Sequence, residues 1–403
     1  MTMSWWMQYA LIGAVALVVT ALMTPIARRI ALAVDAVDYP NARRINRTPI
    51  PRMGGIAVFC GIAAAILMQN IGARIFRWPT VLVPNPHLQV NYWMVFASGL
   101  IIFLTGLIDD KFQLKAWQKF LGQLLAAVVA VAGGLIIGDI INPIARQRME
   151  LGWVAYPVTI LYLIAYVNIF NLIDGLDGLC TGITCIASVT MFLVSLDSGR
   201  LDGAVLSAAL IGTCLGFLPY NFNPASIFLG DSGSLFLGFT FGTISLLSVT
   251  RTAALTTMIV PLIVAGIPII DTFSAIVRRS RAGVSIGHPD KGHIHHRLIQ
   301  EGFDQRQTVT LIYAWTILLC VGAYGITKVS VRPRIAIFVV LLGASTLFAR
   351  HLKLFRPVLL HHTNPATGGD EIITPADPAF AEEEREQIWT LEGAIHHNKD
   401  EKN

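Results

Sequence analysis

The chain reads as an all-α, polytopic integral membrane protein of about eleven transmembrane helices, N-terminus outside and C-terminus inside. Three observations predict this. Hydrophobic residues make up 54% of its 403 residues and charged residues only 14%, with a mean hydropathy of +0.62, far from the balance of a soluble domain. Apolar runs long enough to cross about 30 Å of hydrocarbon recur along the chain. Between them, lysine and arginine gather on one set of alternate loops, as they do where basic residues set orientation.

The runs fall at 5–27, 53–71, 91–108, 119–138, 153–170, 178–196, 203–220, 234–250, 253–275, 308–327 and 334–350. The first is long enough to span and has no basic segment before it, so it is expected to stay as a helix rather than act as a cleavable signal. With the N-terminus outside, the inside segments carry eighteen Lys and Arg and the outside segments nine, which selects N-out and C-in. The polar loops 34–52, 109–119, 171–177, 221–233 and 277–307 then all fall on the cytoplasmic face. A transporter would hold its ionisable groups near the bilayer midplane; gathered at one face, they suit an enzyme joining a soluble substrate to one held in the membrane.

Residues 1–350 form one membrane domain. From 351 to 403 the chain becomes a polar, acidic cytoplasmic tail, loosely ordered, with Asp377-Pro378 as the start of a short helix. The five cysteines lie in or beside apolar stretches without metal-type spacing and read as small core residues. The net charge of +5 sits at the ends of spans, so it points to orientation and not to nucleic acid.

Residues 168–178, N-I-F-N-L-I-D-G-L-D-G, end the fifth run. At 100° per residue Asn168, Asn171 and Asp174 share one stripe of a helix, and Gly175 and Gly178 let Asp177 turn back toward it. The pattern is either an ordinary capped helix end or a pocket of oxygen ligands at the membrane surface. In the first loop, most of Arg43, Arg44, Arg47 and Arg52 suit anionic headgroups. Arg52 precedes Met53-Gly54-Gly55 at a helix start, where free N–H groups and a guanidinium would face a phosphate together.

Asp109 and Asp110 end the third run, followed by Lys111, Lys115 and Lys119. Adjacent carboxylates at a helix C-terminus repel each other and the helix dipole, so a metal or the lysines should offset them, and one carboxylate is placed to accept a proton from an attacking oxygen or to orient it. Lys119 reaches a diphosphate if the loop folds back. Gly230-Asp231-Ser232-Gly233 puts Asp231 on an exposed turn suited to Mg²⁺ bridging to a diphosphate; Phe228 is either core or a platform for a base. Finally, His293, His295, His296 and Arg297 make a zinc site or a clamp for a phosphorylated sugar, the latter favoured because no cysteine is near.

Taken together, Asp-Asp with three lysines, N-x-x-N-x-x-D-G-x-D-G, P-A-x-I-F-x-G-D-x-G-S and H-x-H-H-R-L resemble the polyprenyl-phosphate N-acetylhexosamine-1-phosphate transferases over residues 35 to 300. The likeness is strongest to the branch making undecaprenyl-diphospho-N-acetylglucosamine for cell-envelope polymers such as teichoic acid or O-antigen. It implies a bacterial plasma-membrane enzyme with a cytoplasmic site, using UDP-GlcNAc, undecaprenyl phosphate and Mg²⁺ (or Mn²⁺), compatible with a homodimer. It implies that Asp109 and Asp110 deprotonate or position the lipid phosphate, that Asn171 and Asp231 hold the metal, and that Lys119 contacts the diphosphate. By the same likeness Asp177 and Phe228 contact uracil, and His293, His295, His296 and Arg297 close over the sugar phosphate. Asp174 and Arg52 join the expected substrate-binding set. The pattern departs at Asn46, where many relatives carry histidine. The rival substrate within the family is UDP-MurNAc-pentapeptide; the rival class is a transporter of a phosphorylated solute.

Overall fold

The computed structural model describes residues 5–39, 49–82, 90–141, 148–248, 255–281, 292–352, 354–355, 360–363 and 370–373. Arg43, Arg44, Asn46 and Arg47 of the first loop, and the acidic tail with Asp377-Pro378, lie outside the described residues. Thirteen α-helices are present among those described: α1 (Trp5–Ala33), α2 (Gly55–Ile75), α3 (Tyr92–Phe112), α4 (Ala116–Ala132), α5 (Ala155–Ile173), α6 (Leu179–Asp197), α7 (Leu201–Asn221), α8 (Gly230–Ser248), α9 (Leu255–Val264), α10 (Gly266–Arg281), α11 (Ile294–Gln300), α12 (Gln305–Lys328) and α13 (Val331–His351). Three two-stranded hairpins complete them, of which only the first matters to the site: β1 (Val37–Asp38) pairs antiparallel with β2 (Ile50–Pro51).

Each of the eleven apolar runs contains helix among the described residues, and eight of the helices are long and apolar enough to cross a membrane. Those eight are α1, α2, α3, α5 with the turn before it, α6, α7, α12 and α13. The run at 119–138 gives a helix of only 17 residues. The ninth run, expected as one span over 253–275, divides at Ala265 into α9 and α10. Pro268 explains the break, since it has no N–H to give the carbonyl of Val264 and its ring crowds that turn.

Helix α8 is the column about which the others stand. Sixteen of its nineteen residues are buried, and it packs on α2, α3, α5, α6 and α7. Its glycines, serines and threonines let neighbouring backbones approach closely, which is how helices associate where no hydrophobic effect separates protein from lipid. Its N-terminus, at Gly230-Asp231, is therefore the point where the ends of several helices converge.

Candidate active site

Backbone pairing brings the first loop to this point. Phe228 N–H donates to Pro51 O at 2.8 Å, Gly54 N–H to Phe228 O at 3.0 Å and Gly55 N–H to Leu229 O at 2.9 Å. The N–H groups of Gly54 and Gly55, expected to face a phosphate, are thus spent on holding two chain segments together. The glycines are needed for closeness instead: a Cβ on Gly55 would lie 2.3 Å from Gly233 N, and one on Gly106 of α3 would lie 2.4 Å from Asp231 O. This contact delivers Arg52 beside Asp231, with guanidinium to carboxylate at 3.6 Å.

Asp109 and Asp110, expected at the substrate, are both directed into the protein. Asp110 accepts from the N–H groups of Asp231 (2.7 Å) and Ser232 (3.0 Å) and from Ser232 Oγ at 2.5 Å, so it caps α8 from the end of α3. Its side chain has no exposed area. Asp109 accepts from Leu114 N–H at 2.6 Å, and its other oxygen meets Lys119 Nζ at 2.5 Å. Gln113, in the left-handed region at φ 50°, turns the chain between α3 and α4, which is the fold-back that Lys119 required. Lys119 also bonds Asp231 Oδ2 at 2.9 Å. Of the three lysines after the acidic pair, it alone is ion-paired with that pair among the described residues; Lys111 lies over the Phe112 ring.

The stripe on α5 separates. Asn171 donates its amide to Asp231 Oδ1 at 2.6 Å and to Ser234 Oγ at 2.8 Å, leaving its carbonyl oxygen as the atom available to a cation. Asn168 instead donates to Gln123 of α4 at 2.7 Å and takes no part in the site. Beyond Asn171 a cavity of about 630 Å³ opens, lined by Arg52, Asn171, Asp174, Asp177, Phe228, Asp231, His295 and His296 among others. Asp177 accepts from Asn223 Nδ2 and from Ala225 N–H, each at 3.0 Å, and so fixes the wall that carries Phe228.

Of the histidine segment, His295 and His296 line the cavity. His293 turns away and pairs with Asp271 of α10 through Nδ1 at 2.8 Å, while Ile294 N–H donates to the other Asp271 oxygen at 2.8 Å. Arg297 is not part of the lining. His295 stands over Gly175, where a Cβ would lie 2.7 Å from its ring. Burial, then the neighbouring His296, lower its pKa to about 3; it is a neutral hydrogen-bonding group at pH 7 and not a cationic one. Asp271 escaped the sequence reading because it sits inside an apolar run, although an acid within such a run is itself a signal. Asn223, Gln305, Ser232 and Ser234 were missed because hydroxyls and amides are ordinary in turns and helix starts.

Electrostatics favours a cation here. Asp109, Asp110, Asp174 and Asp231 stand against Arg52 and Lys119, and burial followed by the charges of Asp231 and Asp110 raises Asp174 well above the usual carboxylate range, despite Arg52. Among the described residues, no three His, Cys, Asp or Glu side chains form a metal cage. Mg²⁺ does not need one: it is commonly held by one or two carboxylates, with substrate phosphates and water completing its shell. Asp231, Asp174 and the Asn171 carbonyl fit that donor set.

A family model described as glycosyl transferase family 4 matches residues 92–249. A Bacillus subtilis (strain 168) protein named probable undecaprenyl-phosphate N-acetylglucosaminyl 1-phosphate transferase is 38% identical over 328 residues, covering 81% of this chain and 87% of that protein. The chain belongs to glycosyl transferase family 4. The family 4 match contains Asp109, Asp110, Lys119, Asn171, Asp174, Asp177, Phe228 and Asp231, and excludes Arg52 and the histidine segment. Other relatives include the decaprenyl-phosphate N-acetylglucosaminephosphotransferase of Mycolicibacterium smegmatis, 36% identical over 78% of this chain and 81% of its own length. The undecaprenyl-phosphate alpha-N-acetylglucosaminyl 1-phosphate transferase of Escherichia coli (strain K12) is 30% identical over 73% and 77%.

Proposed function

We propose that this family 4 transferase moves N-acetylglucosamine 1-phosphate from UDP-GlcNAc to undecaprenyl phosphate, releasing UMP, at the cytoplasmic face of a bacterial plasma membrane. The observation that carries the reading is the single cavity with Asp231, Asn171 and Asp174 beside Arg52 at one wall and His295 and His296 at another, in a chain whose relatives are named for this transfer. A lipid phosphate oxygen attacks the β-phosphorus of the UDP-sugar and the bond to UMP breaks, so one phosphoanhydride replaces another. The barrier is the meeting of two anions, which preorganised charge lowers more directly than a covalent intermediate would.

The residues divide that work. Asp231, Asp174 and the Asn171 carbonyl hold Mg²⁺, which when bound neutralises charge on the diphosphate. Arg52 and Lys119 are the cations that draw the incoming lipid phosphate toward Asp231. Asp109 orients Lys119, and Asp110 fixes the α8 start, so the acidic pair positions the machinery from behind. Phe228 and the turn held by Asp177 flank the nucleobase, and His295 and His296 donate hydrogen bonds to the sugar phosphate.

The test is transfer of label from UDP-GlcNAc into undecaprenyl phosphate by the purified full chain in detergent, with UMP measured. Magnesium-dependent transfer, lost with chelator and in Asp231→Asn, is expected. Reaction with UDP-MurNAc-pentapeptide in place of UDP-GlcNAc would reject the sugar; UMP from neither would reject the transferase.

A further inference from the structure

A second pair of cavities lies at the other end of the bundle from the reaction cavity. The inner one, about 210 Å³, is walled by α2, α3 and α8 with Leu206 of α7, has Ile66, Phe96 and Phe239 among its lining, and is closed by Leu82 from the segment after α2. The outer one, about 320 Å³, is lined by Leu67, Asn70, Arg74 and Trp93. Ala63, Ile66 and Phe96 belong to both linings, so the two form one cleft. Toward the reaction cavity it is closed by Phe59, Phe103 and Phe236, with Phe59 and Phe103 stacked at 4.3 Å between centroids and Phe59 edge-on to Phe236 at 5.3 Å.

The walls say what kind of molecule enters. The inner part is apolar and opens between the membrane-spanning helices α2 and α3, whose outer residues Leu67 and Trp93 at the rim are exposed. Water gains little in such a space, and leaving it empty is costly. At the mouth, Arg74 and Trp93 make the basic and aromatic pair that sits at headgroup level. No carboxylate among the described residues is paired with Arg74. An acyl chain in the inner part with a phosphate on Arg74 satisfies both ends.

We propose that the cleft between α2 and α3 binds one phospholipid with an anionic headgroup, from the leaflet away from the reaction cavity. Its position gives it a consequence for the site. Three of its walls are the helices that set Arg52 (before α2), Asp109 and Asp110 (end of α3) and Asp231 (start of α8), so a chain wedged between them fixes their spacing from the far end.

The experiment strips the full-length protein of lipid in detergent, adds phosphatidylglycerol or phosphatidylcholine, and reads bound lipid by native mass spectrometry together with the thermal unfolding midpoint. One phosphatidylglycerol retained per chain, with a midpoint rise of several degrees that phosphatidylcholine does not match, is expected. Ala63→Trp fills the cleft from an exposed position and should abolish both effects. Arg74→Gln, on the surface, should lower phosphatidylglycerol retention about tenfold to the phosphatidylcholine level. Equal retention of the two lipids by the unaltered protein, full retention in Arg74→Gln, or retention of undecaprenyl phosphate alone would overturn the proposal. None of these outcomes depends on transferase activity, so failure here is separable from failure of the proposed reaction.

Discussion

Asp110→Asn separates a capping carboxylate from a proton acceptor. The native side chain receives two backbone N–H groups of α8 and the Ser232 hydroxyl. Asparagine keeps one acceptor oxygen and places an NH₂ against the remaining donor. Ser232 Oγ can rotate to accept from that NH₂, but one buried backbone N–H is left unmet, which costs about 1–3 kcal/mol. Loss of the negative charge at the α8 N-terminus adds roughly 1 kcal/mol. The expected total is about 3 kcal/mol, or a midpoint lower by about 6 °C at roughly 2 °C per kcal/mol for a large domain. Activity should fall with it, because Asp231 is the first residue displaced. Asp231→Asn removes the carboxylate that pairs with Lys119 and Arg52, so transfer should be lost and the midpoint should fall as well. Differential scanning fluorimetry in detergent beside the transfer assay reads both. An Asp110→Asn protein that unfolds at the native midpoint and yet transfers nothing would refute the capping role and restore Asp110 as the group that takes the proton.

Gly106→Ala should lower stability and transfer together, by about 1–3 kcal/mol for an overpacked contact, since its Cβ would press on Asp231 O at 2.4 Å; unfolding midpoints check it. Asp271→Asn loosens His293 and Ile294 and should raise KM for UDP-GlcNAc about tenfold, as expected for a weakened charge-assisted bond, with kcat moved less, in steady-state kinetics. His295 carries a pH signature. Its folded pKa, lowered to about 3, lies below the unfolded value near 6.5, so between the two the unfolded chain binds the extra proton and stability falls as pH falls. At pH 5 the loss is about 2 kcal/mol relative to neutral pH, and a His295→Phe protein should lack that part of the slope in midpoint-against-pH measurements.

The lines of the bundle were legible because a bilayer imposes them locally: each apolar run contains helix among the described residues, the fourth stops short at Ala132, and the ninth divides where Pro268 sits. The candidate site was legible in part for a similar reason. Asp231, Asn171, Asp174 and Asp177 stand at helix ends among glycines, where helix capping is the ordinary alternative, and all of them line one cavity. The histidine segment was legible only as a cluster. Which ring enters the cavity and which turns to Asp271 depends on a helix more than twenty residues away.

Sequence alone therefore determined the class of protein, the places of its apolar helices and the inventory of charged groups, since hydropathy and helix periodicity are properties of a chain with its nearest neighbours. Tertiary structure decided what each group does. Asn168 and Asn171 are one turn apart on the same stripe, yet one bonds Gln123 and the other Asp231. Asp109 and Asp110 are adjacent, yet one holds a lysine and the other caps a helix over a hundred residues on. Burial leaves a polar atom stable only beside a partner of opposite character, and which partner that is depends on how the helices pack.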